Sequence, residues 1–341
     1  MEHRIFMKRA LELAQKAKGH TYPNPLVGSV IVHNGKIIGE GYHKKAGEPH
    51  AEINAINSVS NQELLRESTI YVTLEPCSHF GKTPPCALKI IDKGFKEVVV
   101  GTLDVHEKVN GKGVQLLREA GISVLTGVLE DECQELNRRF FKYHQKKRPY
   151  IILKWAQSAD GFLDKAFQPY AISNPLVSQL VHQMRAEEHA ILVGTQTAIN
   201  DNPSLTVRKV SGINPVRILI DSDLKVPSSS HIFNEEASTI VINSLKEGDF
   251  GQVRFRRADR SSFFPSLMEI LFKEQIQSVI IEGGRHTLQK FIDESLWDEA
   301  VVIKNSELKM ESGTSAPDFT FKPKEIKSVG NNIIEFYRND I

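Results

Sequence analysis

Apolar positions repeat with two periods along this chain, and the switches between them mark out its elements. Over residues 1–18, Ile5, Met7, Leu11, Ala14 and Ala17 fall near helical spacing, and Gly19 ends the stretch. Val27 to His33 and Ile37 to Tyr42 alternate as strands, joined by Asn34-Gly35, a strong hairpin signal. The pattern then predicts a helix from Ala51 to Ser58, a strand from Thr69 to Leu74 and a helix to Lys93 closed by Gly94. A buried strand from Glu97 to Val100, a helix from Gly113 to Ala120, a short strand at Val124-Leu125 and one helix from Glu130 to His144 complete the first half. A hairpin followed by repeated helix–strand units implies a mixed sheet with helices on both faces.

Gln145-Lys146-Lys147-Arg148-Pro149 is polar, basic and proline-ended, and it reads as a linker. Beyond it the pattern restarts with a strand at Tyr150–Trp155. Asn174-Pro175 is an N-cap and first-turn signal for a helix reaching Arg185. Strands follow at Ala190–Gly194, Val216–Asp221, Thr239–Asn243, Ser278–Glu282, Leu296–Ile303 and Ile333–Tyr337. Helices are predicted at Thr195–Asn200, Pro265–Glu274 and Arg285–Asp293. The second half is therefore an alternating α/β unit.

Length and charge narrow the function. A chain of 341 residues suggests two domains, and 40% apolar content supplies two cores. With 43 basic against 42 acidic residues and no basic block interleaved with aromatics, no nucleic-acid footprint is present. No apolar run approaches the ~20 residues of a membrane span, and the first residues lack the apolar core of a signal peptide. Three unevenly spaced cysteines make no disulfide framework; thiols ready for metal fit a reducing cytoplasm.

The chemistry concentrates in two segments, Gly47-Glu48-Pro49-His50-Ala51-Glu52 and the stretch from Glu75 to Cys86. His50, Cys77 and Cys86 can hold one Zn²⁺ with three protein ligands, leaving a fourth position for water as catalytic zinc does. Zinc brings the pKa of such a water down to ~7. Glu52, two residues after His50 at a helix start, is free to act as the catalytic proton shuttle. His-x-Glu with Pro-Cys…Cys is the pattern of zinc deaminases. The alternative is a structural zinc, with His79 as a fourth ligand, or two unrelated buried cysteines. Cys77 should sit where a strand ends and a helix begins, where oriented N–H groups favour the thiolate. Cys133 reads as a small buried apolar residue. In the second half, Gly194-Thr195-Gln196-Thr197 and Gly283-Gly284-Arg285-His286-Thr287 each turn from strand into helix. Either could receive phosphate or be a tight packing turn.

Tyr22-Pro23-Asn24-Pro25-Leu26-Val27-Gly28, Gly39-Glu40-Gly41-Tyr42-His43, the His50 motif, and Tyr71-Val72-Thr73-Leu74-Glu75-Pro76-Cys77-Ser78-His79 with Thr83-Pro84-Pro85-Cys86 resemble the bifunctional riboflavin-biosynthesis deaminase–reductases. The eight-residue insert between Cys77 and Cys86 is that family's form of the motif. The resemblance covers nearly the whole chain. It implies an α/β protein: an N-terminal cytidine-deaminase-like three-layer αβα domain at 1–146 and a C-terminal dihydrofolate-reductase-like α/β domain at 147–341. It implies zinc deamination of 2,5-diamino-6-ribosylamino-4(3H)-pyrimidinone 5′-phosphate, then NADPH reduction of the ribosyl to a ribityl group, in a cytoplasmic homo-oligomer.

By the same match, Gln157, Thr197, Asp201, Ser222 and the turn through Gly284, Arg285, His286 and Thr287 would touch NADPH. Arg185, Leu205, Arg208, Glu282 and Lys154 would hold the second substrate, the arginines suiting a sugar phosphate. Asn24, His43, His79, Lys82 and Asp104 would grip base and phosphate in the first site. The chain departs from the family pattern at three places. Pro169-Tyr170-Ala171-Ile172-Ser173 stands for a Ser-x-Trp-Ile-Thr segment, Gln157 for a small residue, and Asp104-Val105-His106-Glu107 for Asp-Pro-Asn-Pro. The rivals are an active deaminase with an inactive or altered second domain, a nucleoside or tRNA deaminase, and a ligand-binding protein with structural zinc.

Overall fold

The fold is described from a computed structural model, covering residues 2–78, 80, 84–105 and 110–339. Two compact units divide the chain, 1–146 and 147–341.

In the first unit, helix α1 (Glu2–Gln15) precedes the hairpin β1 (Gly28–His33) and β2 (Lys36–Tyr42). Then come α2 (Ala51–Ser58), β3 (Thr69–Leu74), α3 (Cys86–Lys93), β4 (Glu97–Thr102), α4 (Lys112–Glu119), β5 (Ser123–Thr126), α5 (Glu130–Leu136) and α6 (Arg138–Lys146). The hairpin turns on Asn34 and Gly35, both with positive φ, as a type I′ connection requires. The sheet order is β2-β1-β3-β4-β5, antiparallel in the hairpin and between β1 and β3, parallel from β3 to β5. Period-2 alternation assigns the faces. Val30, Val32, Tyr71 and Val99 meet Phe6, Met7, Ala10 and Leu11 of α1. Ile31, Ile70, Val72, Val98 and Val100 meet Ala55 and Ile56 of α2, Ala87 and Ile90 of α3, and Val114 and Leu117 of α4. This is a three-layer αβα unit.

The single helix expected over Glu130–His144 is two. Asn137 interrupts it, because its amide is committed elsewhere: Oδ1 accepts from the Leu26 N–H and Nδ2 donates to the Leu26 carbonyl, both at 2.8 Å.

The second unit holds β6 (Tyr150–Gln157), α7 (Pro175–Glu187), β7 (Ala190–Gly194), α8 (Thr195–Asp201), β8 (Val216–Ile220), β9 (Thr239–Asn243), β10 (Gly248–Phe250) and β11 (Val253–Arg257). They are followed by α9 (Phe263–Lys273), β12 (Ser278–Ile281), α10 (Arg285–Asp293), β13 (Glu299–Asn305), β14 (Glu325–Val329) and β15 (Asn332–Arg338). The Asn174 side chain caps α7, accepting from the Val177 N–H at 3.0 Å, with Pro175 in its first turn. The sheet order is β10-β11-β9-β8-β7-β12-β6-β13-β15-β14, parallel from β11 through β13. The strands β10, β11 and β14 lie outside the sequence expectation. β10 and β14 are the edges, and their alternation carries charged residues. Ile151, Leu153, Trp155 and Leu192 pack under α9 and α10. Tyr150, Ile152, Ile191 and Val193 pack under α7 and α8. Lys154 and Glu282, in phase with that second set, stand on the α7 side.

Candidate functional site

In the first unit the site is assembled by two helix starts and one strand end. Helix α2 lies against β2 because Gly39 and Gly41 carry no side chain: a Cβ on Gly41 would stand 2.3 Å from the Ala55 nitrogen and 2.5 Å from the Ala51 oxygen. That approach fixes His50 at the N-cap of α2 and Glu52 in its first turn. Cys77 follows β3, but helix α3 begins nine residues later, at Cys86, directly after Pro84 and Pro85. The N–H that favours the Cys77 thiolate therefore comes from Cys86, which donates to Cys77 Sγ at 3.2 Å.

His50 Nδ1 lies 3.6 Å from Cys77 Sγ and 3.3 Å from Cys86 Sγ, and all three ligand atoms fall within 4.8 Å of one another. Zinc bonds of about 2.3 Å to sulfur and about 2.0–2.1 Å to nitrogen, at a tetrahedral angle, separate N and S by about 3.5 Å. The donor set fits the ion, and among the described residues no fourth His, Cys, Asp or Glu joins the group. His79 and Lys82 lie outside the described residues.

The electrostatics match the donor set. The Cys77 thiol is pulled down to about 4, chiefly by a hydrogen bond from the Cys86 thiol and against its own burial, with His50 and the Cys86 N–H helping. Cys86 moves up because it gives that hydrogen bond and is buried. His50 rises through its contact with Cys77. Glu52 is 3% exposed, and burial pushes it up to about 7 against the pull of His50. A carboxyl poised near neutrality beside Cys86 can both take and give a proton.

Around this triangle His43 is buried, its Nε2 3.0 Å from Asn24 Nδ2 and its Nδ1 3.2 Å from the Pro49 carbonyl. Burial lowers its pKa, and its ring stands edge-on to His50 at 5.4 Å. Asn24, His43 and His50 thus form one wall. Asp104 is buried on the loop after β4. Glu75, to which no role was given from sequence, ties that loop to the metal-ligand segment. Its Oε1 accepts from the N–H groups of Gly113 and Val114, and its Oε2 from those of Asp104 and Gly111. Its place after an apolar strand and before Pro76 was the available signal.

In the second unit the cofactor candidates other than Asp201, which ends α8, fall on one rim. Ser222 follows β8, Thr197 follows β7, Gly284 to Thr287 follow β12, and Gln157 ends β6, four neighbouring parallel strands at their C-terminal ends. Such a rim is where open α/β sheets take ligands. The two glycine turns interlock. A Cβ on Gly194 would stand 2.5 Å from Thr287 Oγ1, and one on Gly284, whose φ is +27°, would stand 3.0 Å from Thr197 Oγ1. Helix α10 starts at Gly284 without a side-chain cap, which leaves its first N–H groups for an anion. Asp201 and His286 are exposed, and Arg285 reaches Asp318 at 3.3 Å. Gln157 Oε1 accepts from the Trp155 indole at 2.8 Å, which occupies that oxygen. At the segment lacking the family's indole, Tyr170 is 47% exposed with Lys165 Nζ 5.6 Å from its ring centre.

Beside the rim, Arg185 of α7 grips Glu282 through two contacts, Nε to Oε1 at 3.1 Å and Nη2 to Oε2 at 2.7 Å. Burial would push Glu282 up, but Lys154 and Arg185 pull it down to about 2. Burial lowers Lys154, with Glu282 opposing. Leu205, at φ +55°, and Thr206 are buried in the loop that ends at exposed Arg208. Sequence reasoning also passed over Asp221, whose carboxylate accepts from the N–H groups of Lys225 and Val226 and so shapes the turn after Ser222.

Comparison with known proteins finds relatives of both units. A family model for the cytidine and deoxycytidylate deaminase zinc-binding region matches residues 1–102, and one for the RibD C-terminal domain matches 149–307. The riboflavin biosynthesis protein RibD of Aquifex aeolicus is 42% identical over 98% of this chain and 97% of its own. That of Escherichia coli is 34% identical over 98% of each. A crystal structure from Thermotoga maritima, of a diaminohydroxyphosphoribosylaminopyrimidine deaminase/5-amino-6-(5-phosphoribosylamino)uracil reductase, aligns with a TM-score of 0.90 and 36% identity, covering 99% of this chain and 98% of the other. With a deaminase zinc-binding region in one unit and a RibD-type reductase domain in the other, the chain belongs to the RibD family of bifunctional riboflavin-biosynthesis proteins.

Proposed function

We propose that residues 1–146 deaminate 2,5-diamino-6-ribosylamino-4(3H)-pyrimidinone 5′-phosphate and that residues 147–341 then reduce the ribosyl group of the product to ribityl with NADPH. The carrying observation is the His50–Cys77–Cys86 triangle with buried Glu52 beside it. A purely structural metal would give Glu52 no work and no reason to bear the cost of burial.

In the first step His50, Cys77 and Cys86 hold one zinc ion, which when bound makes a water molecule acidic enough to attack at neutral pH. Glu52 takes a proton from the attacking water and delivers it to the departing nitrogen, so that ammonia leaves. Asn24 and His43 line the base, and Asp104, His79 and Lys82 complete the grip on base and phosphate. His43, its pKa lowered by burial, accepts from the Asn24 amide and so orients it toward the base without adding charge beside the metal.

In the second step the Ser222, Thr197 and Gly284–Thr287 rim holds NADPH, with Gln157 and Asp201 beside it, and the bound cofactor supplies a hydride. Reduction would form a C–H bond at the sugar carbon that carries the exocyclic amino nitrogen as that carbon's bond to the sugar ring oxygen breaks, and a proton completes the released oxygen. Lys154 stands on the α7 face beside Glu282 to supply that proton. Arg185, Leu205 and Arg208 bind the sugar phosphate, and Glu282 holds Arg185 in place. A cytoplasmic homo-oligomer completes this reading; no helix among the described residues is long and apolar enough to cross a membrane.

One assay tests both halves: the purified chain, loaded with zinc, is given the diamino substrate with and without NADPH. Ammonia release in both cases, and loss of absorbance at 340 nm only with NADPH, is expected. Ammonia without NADPH oxidation would remove the second activity and leave the first.

A further inference from the structure

One face of α7 carries three contacts to a single loop. Ser178, His182 and Arg185 are spaced four and three residues apart, so they share a side of the helix. Ser178 Oγ accepts from Lys209 Nζ at 2.7 Å, His182 Nδ1 accepts from the Arg208 backbone N–H at 3.1 Å, and Arg185 Nη1 donates to the Thr206 carbonyl at 3.4 Å. The loop needs holding. Leu205 sits at φ +55°, a left-handed conformation that a branched apolar residue adopts only where its surroundings impose it. The same Arg185 clamps Glu282 on the opposite side. One helix face therefore joins the loop to the acidic centre of the second unit.

His182 is the member with the narrowest requirements. It is 4% exposed, and its Nδ1 must carry no proton if it is to accept from Arg208. Its charged neighbours are Arg185, Arg208 and Lys209, with Glu282 opposing. Burial and those cations lower its pKa to about 4. An uncharged acceptor in a cationic cluster fixes the backbone of Arg208 while leaving the exposed guanidinium for an anion.

We infer that His182 is a positioning residue for the reductive step: through the Ser178–His182–Arg185 face of α7 it sets the 205–209 loop so that Arg208 meets the anionic group of the sugar phosphate. This rests on the reductase reading above. It assigns His182 no contact with the reacting atoms.

The test uses the full chain, with the deaminated intermediate varied at saturating NADPH. His182→Phe removes the acceptor and should raise KM for the intermediate on the order of tenfold, with kcat and the KM for NADPH within about twofold of wild type. His182→Asn, whose amide oxygen can accept the same N–H, should bring KM back to within about threefold. Ammonia release by the other unit should stay at the wild-type rate throughout. An unchanged KM in His182→Phe overturns the inference, as does a fall in kcat alone that His182→Asn does not restore. Should His182→Phe fail to accumulate, Ser178→Ala removes the Lys209 anchor from the same face. A rise of about twofold in the same KM supports the inference, and no change overturns it. A wild-type chain that oxidises no NADPH overturns the reductase reading and this inference together; one that does, with variants unchanged in KM, overturns the inference alone.

Discussion

Glu52 is buried and Glu282 nearly so, and their surroundings drive them apart. Burial dominates at Glu52 and lifts it to about 7, whereas Lys154 and Arg185 outweigh burial at Glu282 and hold it at about 2. The first is suited to passing a proton; the second is a fixed charge. Glu52→Gln keeps the shape and removes the proton transfer. Ammonia release should fall by roughly 10²–10⁴-fold while metal analysis still finds one zinc per chain; normal turnover in the zinc-loaded variant would end the shuttle assignment. Glu282→Gln leaves Arg185 and Lys154 without their carboxylate and should cost about 3 kcal/mol at neutral pH. The sign with pH follows from the depressed pKa. The stabilisation is fully present above the ordinary value of 4.5 and is lost as pH falls through about 2. Urea midpoints followed by tryptophan fluorescence should differ widely between wild type and variant at pH 7, draw together below pH 4.5 and converge only as pH falls through about 2. A gap that stays constant with pH would contradict the assigned ion pair.

Elements place these residues, and glycine decides how closely. Gly41→Ala puts a methyl group 2.3 Å from the Ala55 nitrogen, so α2 must move away from β2, carrying His50 and Glu52 with it. Zinc affinity should drop at least tenfold in a competition titration with a chromogenic chelator, and ammonia release should fall with it. Retained affinity would show that α2 does not need its seat on β2. What the sequence disclosed about such elements follows their locality. Asn34-Gly35, Gly94 and Asn174-Pro175 act on their immediate neighbours, and each does in the fold what its local chemistry requires. Asn137 does not: it breaks a helix by binding Leu26, 111 positions earlier. Glu75 is legible only as a strand-end acid until Gly111, Gly113 and Val114 converge on it. His182 faces a loop 26 residues away, a distance no helical periodicity reports. The edge strands β10 and β14 are short and rich in charge, so their pairing depends on partners brought by the rest of the sheet.

At the scale of the whole molecule, each unit carries its own set of buried clusters, so each can be followed by its own reporter. One set joins α1–α4 to the β1–β5 sheet; the other lies on the two faces of the ten-stranded sheet. The sequence supplies a convenient reporter, because both of its tryptophans, Trp155 and Trp297, belong to the second unit and are buried there. Tryptophan fluorescence therefore follows 147–341, while far-UV circular dichroism follows the entire chain. A metal bound only by the folded first unit stabilises it by about 4 kcal/mol when free zinc exceeds its dissociation constant about a thousandfold. Stripping zinc with a chelator should then bring forward a circular-dichroism transition by several degrees and leave the fluorescence midpoint where it was. Readding zinc should restore the first transition; cadmium, a softer thiolate-seeking ion, should restore it too, which separates the donor set's stabilising effect from catalysis. A fluorescence midpoint that moves with the chelator would show that the metal's contribution is not confined to residues 1–146, and that the His50–Cys77–Cys86 triangle does not account for it alone.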